Sequence, residues 1–161
     1  MLVIITGASG VGKSSLVPIL KKLLPPSFLI YDFDELGTPY DGTEIWKDHH
    51  LEQMFATIYQ NHSKNIHTIV CGLIRPQWVN IKRLSSSGID LHYILLNMSK
   101  SQRKIRLERR KAPISLIEDE EEIDLLHFWM EKYESNYIVI DTSDITTLQV
   151  ASEVITLISQ I

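Results

Sequence analysis

Apolar residues follow two different patterns along this chain. Short runs in which nearly every position is apolar are typical of strands buried on both faces of a parallel sheet. These runs lie at 2–5, 28–32, 67–73, 91–96 and 137–141. Segments with apolar residues three or four positions apart follow each run, and this spacing is typical of amphipathic helices. The alternation predicts an α/β fold, in which right-handed crossovers place helices on both faces of a parallel sheet.

Turn and capping residues mark the ends of the predicted helices. The first helix, 13–24, stops at Pro25, because proline cannot continue a helix. Gly88 has the position of a helix C-terminal cap, and Ser99 and Gln102 have the spacing of a capping box. Further helices are expected over 43–63 in two pieces, 77–86, from 99 to a break at Pro113, 118–134, and from about 148 to the end of the chain.

Composition and charge narrow the class of protein. The 161 residues fit one domain, and 44% hydrophobic and 22% charged residues are ordinary for a globular chain. A net charge of −4 argues against nucleic acid as a partner, and no apolar stretch is long enough to span a membrane. Cys71, the single cysteine, excludes an internal disulfide. We therefore expect a cytoplasmic protein.

A glycine-rich segment follows the first predicted strand. Gly7, Gly12, Lys13 and Ser14 complete the pattern G-x-x-x-x-G-K-[ST], which predicts a phosphate-binding loop between a strand and a helix. Glycines allow backbone amides to approach a polyphosphate closely, and the following helix directs its positive dipole end at the same anion. The residues expected to contact the nucleotide here are Gly7, Ser9, Gly10, Val11, Gly12, Lys13, Ser14 and Ser15.

The same motif predicts ATP and Mg²⁺ as cofactors. Lys13 is expected to reach the β- and γ-phosphates, and the Ser14 hydroxyl is expected to bind the metal.

Two carboxylates end the second predicted strand. Asp32 and Asp34 lie two residues apart, so an extended backbone would direct both side chains the same way. We expect Asp32 to assist Mg²⁺ and Asp34 to accept the proton of an attacking hydroxyl. The alternative is a solvated turn, in which aspartate is common. The third strand ends at Cys71, which we expect to be a buried core residue, so the metal-orienting role falls to Asp32.

Arginines follow the third and fourth predicted strands. Arg75 could bind an anionic substrate or be a surface charge. Helical spacing places Arg103, Arg106 and Arg110 along one stripe. We favour roles for Arg106 and Arg110 in stabilising the transferred phosphoryl group, over a merely solvated face, because they come directly after a strand. We assign no role to Arg103 or Arg109.

Other polar clusters carry no functional prediction. His49 and His50 lack metal-site spacing, so we expect them on a helix surface. The acidic run 118–122 is expected to be a solvated helix start.

These motifs together resemble the small phosphate-loop kinases, which include shikimate, gluconate and nucleoside monophosphate kinases. Asp32-Phe33-Asp34 resembles the D-x-D of shikimate kinases, which implies that Asp32 assists Mg²⁺ and Asp34 contacts the substrate hydroxyls. The R-L-x-x-R segment of adenylate-type kinases is similar to residues 106–110, which implies lid roles for Arg106 and Arg110.

Two further segments carry the resemblance. Residues 70–75 are similar in position to D-G-F-P-R, which implies that Arg75 binds a substrate phosphate. Residues 140–143 resemble the loop that borders adenine in gluconate-type kinases, which implies that Thr142 contacts the nucleotide. The resemblance implies a three-layer α/β/α phosphate-loop NTPase fold with strand order 2-3-1-4-5. It implies one domain over 1–161, with a helical substrate cover at about 35–63 and a short lid at about 106–118.

The predicted function is transfer of the ATP γ-phosphate to a small-molecule acceptor, which is a hydroxyl-bearing metabolite, nucleoside or nucleotide. The alternative is a nucleotide-binding NTPase or switch without such an acceptor. A GTPase switch would need a guanine-reading N-K-x-D, and the fourth strand is followed only by the N-M-S-K of residues 97–100. The sequence identifies neither the acceptor nor the number of copies in the assembly.

Overall fold

A parallel sheet forms the centre of the molecule. The computed structural model describes residues 1–36, 44–118, 121–133 and 137–161. The strands are β1 (Leu2–Gly7), β2 (Phe28–Asp32), β3 (His67–Cys71), β4 (Leu91–Asn97) and β5 (Tyr137–Asp141). They are ordered β2-β3-β1-β4-β5, and each neighbouring pair is parallel. This confirms the predicted α/β fold and its strand order.

Helices alternate with the strands along the chain. They are α1 (Lys13–Leu23), α2 (Glu44–Ser63), α3 (Ile81–Ser86), α4 (Lys100–Arg109), α5 (Ile114–Ile117), α6 (Glu121–Tyr133) and α7 (Thr147–Ile158). Short 3₁₀ turns lie at Phe33–Glu35 and Pro76–Trp78. Among the helices in the described ranges, none is both long and apolar enough to cross a bilayer.

Two apolar cores lie on opposite faces of the sheet. β1 is completely buried, and its residues alternate between the cores, with Val3 and Ile5 on one face and Leu2 and Ile4 on the other. α1 and α7 cover the first face, and α2 and α3 cover the second. The three layers explain why the β1 run has no polar alternation, since both of its faces pack against helices.

Several element boundaries differ from the predicted ones. α2 is one helix over its described length, because Leu51, Met54 and Ile58 form a single buried stripe. The helix predicted over 77–86 is a 3₁₀ turn followed by the shorter α3, because the Asn80 side chain accepts from the Arg83 amide and caps a new helix there. The predicted Ser99 cap is confirmed, since its hydroxyl accepts from the Gln102 amide at 3.3 Å.

The strand register aligns the carboxyl ends of the sheet. Asp32 and Ile5 both pair with Cys71, and Gly7 pairs with Leu96. Asn97 pairs with Asp141 at the end of β4 and β5. The segments that leave the ends of these strands therefore share one edge of the sheet, which is where open α/β sheets bind ligands.

Candidate functional site

The phosphate loop leaves the end of β1 and enters α1. Its backbone is left-handed at Gly10 (φ +94°) and at Gly12 (φ +111°), the residue that precedes the first turn of α1. A Cβ on Gly10 would lie 3.0 Å from the side chain of Leu107 in α4. A larger residue at Gly10 would therefore be strained by its conformation and would press on Leu107.

Lys13 folds back over this loop. Its ammonium donates hydrogen bonds to the carbonyl oxygens of Gly7, at 2.6 Å, and Ala8, at 2.9 Å. Burial lowers the pKa of Lys13 from 10.5 to about 8, against the opposing pull of the carboxylates of Glu122, Asp34 and Asp32. A nucleotide phosphate would add to the negative charge of these carboxylates and favour the charged form of the amine.

A cleft of about 640 Å³ opens beside the loop. One wall is the phosphate loop, where the Ser14 and Ser15 side chains are exposed. Asp34 lies on the same cleft, and the chain from Arg110 to Pro113 with Leu116 forms the facing wall. The structure therefore brings three of the predicted site residues, Ser14, Asp34 and Arg110, to one cavity.

Asp32 and Asp34 are held by a turn. The backbone is not extended as predicted, because residues 33–35 form a 3₁₀ turn and the Asp32 carboxylate accepts a hydrogen bond from the Asp34 amide at 3.2 Å. Asp32 is buried and caps this turn, whereas Asp34 is exposed. The two carboxylates thus lie in different environments, and Asp34 is the one that lines the cleft.

Gly72 and His50 contact Phe33, the first residue of this turn, from two sides. A Cβ on Gly72 would lie 2.3 Å from the Phe33 Cβ, so only glycine fits beside it without a shift. On the other side, His50 Nε2 donates to the Phe33 carbonyl oxygen and its ring meets the Phe33 ring edge-on at 4.5 Å. The predicted surface position of His50 is wrong, because the residue is completely buried against this turn.

Cys71 ends β3 beside Asp32. It is buried, as expected, and burial together with the Asp32 charge raises the pKa of its thiol to about 12. The residue is therefore a neutral thiol near neutral pH, and it supplies no reactive thiolate to the site.

Arg106 and Thr142 meet at the start of α1. Arg106 Nη2 donates to the Thr142 carbonyl oxygen at 2.9 Å. The Thr142 hydroxyl lies 3.2 Å from the Val11 carbonyl oxygen and 3.0 Å from that of Asn97, and these two acceptors share its one proton. With the loop residues Val11 and Gly12, Arg106 and Thr142 line a narrow pocket of about 20 Å³ at the start of α7. Thr142 thereby ties the phosphate loop to β4 and β5, and its role as a nucleotide contact stays a prediction.

Arg75 lies beside α6, directly before the 3₁₀ turn Pro76–Trp78. Its guanidinium is 5.3 Å from the centre of the Trp78 ring, in cation–π range. It lines a small pocket with Glu122 and Trp129, and it is not among the residues that line the large cleft. Its role as a substrate ligand stays a prediction.

Arg103 and Glu122 are functional candidates that sequence reasoning missed. The acidic run was expected to be solvated, which is wrong for Glu122, since this residue is buried and pairs with the buried Arg103 at 2.9 Å. Glu122 also accepts a hydrogen bond from the Ser9 amide at 2.8 Å, so this amide points toward α6. A sequence signal existed, because Arg103 lies four residues before the buried Leu107, on the core face of its helix.

The described residues contain no group of three or more His, Cys, Asp and Glu side chains that could hold a metal ion by themselves. Mg²⁺ usually binds through one or two protein oxygens together with substrate phosphates and water. The exposed Ser14 hydroxyl and the Asp32 carboxylate are oxygen donors of the type that such a shared site needs.

Most of the chain matches the model of a known protein family. The profile of AAA_18, described as an AAA domain, matches residues 3–127 and so includes the phosphate loop, the Asp32 turn and α4. The chain belongs to this family. The AAA_18 match therefore covers most of the elements that build the cleft. No curated protein matches the chain.

Solved structures show the same fold at low sequence identity. The tunicamycin resistance protein of Deinococcus radiodurans matches with a TM-score of 0.71 and 19% identity, over 98% of this chain and 94% of that one. A gluconokinase from Sinorhizobium meliloti gives 0.63 and 17%, over 98% and 91%. The shikimate kinase of Bacteroides thetaiotaomicron gives 0.58 and 15%, over 100% and 99%. The fold is that of small phosphate-loop kinases, as predicted.

The low pKa of Lys13 predicts a pH-dependent nucleotide affinity. In the ligand-free protein this amine loses its charge above pH 8, whereas bound phosphates favour the charged form. The Kd for ADP should therefore be nearly constant below about pH 7 and rise about tenfold between pH 7 and pH 9. Calorimetry in magnesium-free buffer measures this change. Lys13→Arg, which stays charged, should lose the rise, and an equal rise in that variant would contradict the assignment.

The close approach of Gly72 to Phe33 predicts a packing cost. Gly72→Ala should lower the free energy of unfolding by about 1–3 kcal/mol, because the new methyl group displaces Phe33. Urea unfolding measures this loss. The same methyl should cost clearly less in a Phe33→Gly background, where the opposing Cβ is gone. Equal costs in the two backgrounds would show that the contact does not limit position 72.

Proposed function

We propose that this protein is an ATP-dependent phosphotransferase that moves the γ-phosphate to a hydroxyl-bearing metabolite, nucleoside or nucleotide. The observation that carries the proposal is the single cleft lined by Lys13, Ser14, Asp34 and Arg110. A phosphate cradle, a carboxylate and a cation on one cavity are the groups that phosphoryl transfer requires. An enzyme that consumes ATP in this way would act in the cytoplasm.

Three residues that line the cleft, Lys13, Ser14 and Asp34, have proposed roles in the transfer, together with Asp32 and Arg106, which do not line it. The acceptor hydroxyl oxygen attacks the γ-phosphorus while its proton passes to the Asp34 carboxylate. The bond from the γ-phosphorus to the β-phosphate oxygen breaks, and ADP leaves with that oxygen. Lys13 and Arg106 stabilise the negative charge on the transferred group. Ser14 and Asp32 are the proposed protein ligands of Mg²⁺, which would neutralise charge on the β- and γ-phosphates.

The walls of the cleft suit a substrate that is enclosed from two sides. We propose that the segment 106–118 is a short lid, since Arg110 and Leu116 line the cleft opposite the loop. We propose 35–63 as the acceptor cover; residues 37–43 of it lie outside the described part of the chain. Arg75 is proposed as a ligand for an anionic group of the acceptor.

Related folds suggest which acceptors to test. Proteins of this fold include a gluconokinase, a shikimate kinase and a tunicamycin resistance protein. An acceptor screen with ATP and Mg²⁺ should therefore contain sugar acids, shikimate, nucleosides, nucleotides and hydroxylated antibiotics including tunicamycin. ATP hydrolysis that no acceptor accelerates would favour the alternative, an NTPase or switch.

Asp34→Asn tests the proposed base. With the best acceptor of the screen at saturation, kcat should fall about 100-fold or more, because the amide cannot take the proton. The Kd for ADP should stay within about twofold, since the nucleotide is held by other groups. Glu35→Gln is the matched control, because Glu35 is an exposed carboxylate in the same turn. Unchanged kcat in Asp34→Asn would remove the base assignment.

Arg106→Ala tests the proposed stabilising cation. We expect kcat/KM for ATP to fall about 100-fold, which is the order seen when one donor to a developing charge is removed. Arg109→Ala is the control, since Arg109 is exposed on the same helix, and its effect should stay within about twofold. Similar losses in both variants would point to a general charge effect and against a specific role of Arg106.

A further inference from the structure

A buried ion pair joins the two walls of the cleft. Arg103 of α4 and Glu122 of α6 lie 2.9 Å apart, with side-chain exposures of 2% and 9%. Charged side chains are rarely buried so completely without several partners. The partners of this pair show what it holds.

The ion pair forms hydrogen bonds with both backbone polar groups of Ser9 in the phosphate loop. Its amide donates to Glu122 Oε2 at 2.8 Å, and its carbonyl oxygen accepts from Arg103 Nε at 2.8 Å. The Ser9 hydroxyl adds a longer contact to Glu122 Oε1 at 3.4 Å. The pair therefore fixes the orientation of the peptide units on both sides of Ser9, directly before the left-handed Gly10.

The facing wall is bound by the same guanidinium. Arg103 Nη2 donates to the carbonyl oxygen of Leu116 at 3.0 Å, and Ser9 and Leu116 both line the 640 Å³ cleft. Since one rigid planar group contacts both walls, their separation at this point depends on Arg103. Glu122 holds the guanidinium in place from α6.

We propose that Arg103 and Glu122 are positioning residues, which hold the phosphate loop and the 110–116 wall at the separation that nucleotide phosphates require. Neither residue lines the large cleft, so they act through Ser9 and Leu116. This inference rests on the proposed nucleotide-binding function.

A second ion pair provides a matched control. Lys100 of α4 and Asp124 of α6 also lie 2.8 Å apart and join the same two helices. Their side chains are 45% and 69% exposed, and neither lines the cleft. Breaking this pair perturbs the contact between α4 and α6 while the bonds to Ser9 and Leu116 stay in place.

Three variants test the proposal: Glu122→Gln, the double variant Arg103→Met/Glu122→Leu, and the control Asp124→Asn. The double variant replaces the buried pair with apolar groups, a change that often preserves stability. The probe is ADP, with Kd measured by calorimetry, and amide exchange at Ser9 is followed by NMR in the ligand-free protein. Urea unfolding reports whether each variant is folded.

We expect Glu122→Gln and the double variant to raise the Kd for ADP about tenfold or more, as for loss of a charged buried hydrogen bond. Ser9 amide exchange should accelerate in the double variant, which removes the acceptor of that amide, a change that loss of global stability would not confine to this loop. Asp124→Asn should leave both measurements at their wild-type values.

Some results would contradict the proposal. A folded double variant that binds ADP as tightly as the wild type, or Ser9 exchange that stays slow in that variant, would overturn the positioning role. If the wild type itself bound no ADP, the proposed nucleotide-binding function would fall, and the positioning role with it. If the wild type bound ADP and the variants bound it with the same Kd, only the positioning role would be wrong.

Discussion

The site depends on holding a desolvated cation beside a loop that consists largely of backbone. Lys13 donates to the carbonyls of Gly7 and Ala8, so its charge is fixed before any ligand arrives. Burial makes the charged form of this amine costly, the carboxylates of Glu122, Asp34 and Asp32 offset part of that cost, and a polyphosphate would add further negative charge. The Lys13 ammonium and the Ser9 amide already have protein partners, so the geometry of the loop is held before a ligand binds. Every other feature of the cleft either shapes this loop or faces it.

The loop is also held by contacts from distant parts of the chain. Its backbone is left-handed at Gly10 and Gly12. Glycine adopts this conformation readily, but it loses more backbone entropy on folding than any other residue. Contacts from distant elements compensate: Leu107 packs on Gly10, and Glu122 and Arg103 bind Ser9. A buried ion pair contributes little net stability, while breaking one costs about 3–5 kcal/mol. Its value here lies in fixing geometry at a point where three segments of the chain meet.

Sequence reasoning recovered the features that local patterns encode. The strand runs, the phosphate loop and the Ser99 cap depend on neighbouring residues, and the structure contains all three. It failed where a side chain takes its environment from a distant segment. Glu122 lies 113 positions from Ser9, and His50 lies 17 positions from Phe33, so no local spacing reveals either contact. Polar residues on the core face of a helix, such as Arg103, were the available warning, because burial requires that they find partners.

The turn that carries Asp32 and Asp34 links the chemistry to the helix that follows. Its position is set by Gly72 at the end of β3 and by His50 in α2, and both act on Phe33. α2 belongs to the segment proposed to cover the acceptor. A shift of this helix would pull on the Phe33 carbonyl and move the adjacent Asp34, because His50 is buried and bonded to that carbonyl. The position of Asp34 is therefore tied to the helix that belongs to the proposed acceptor cover.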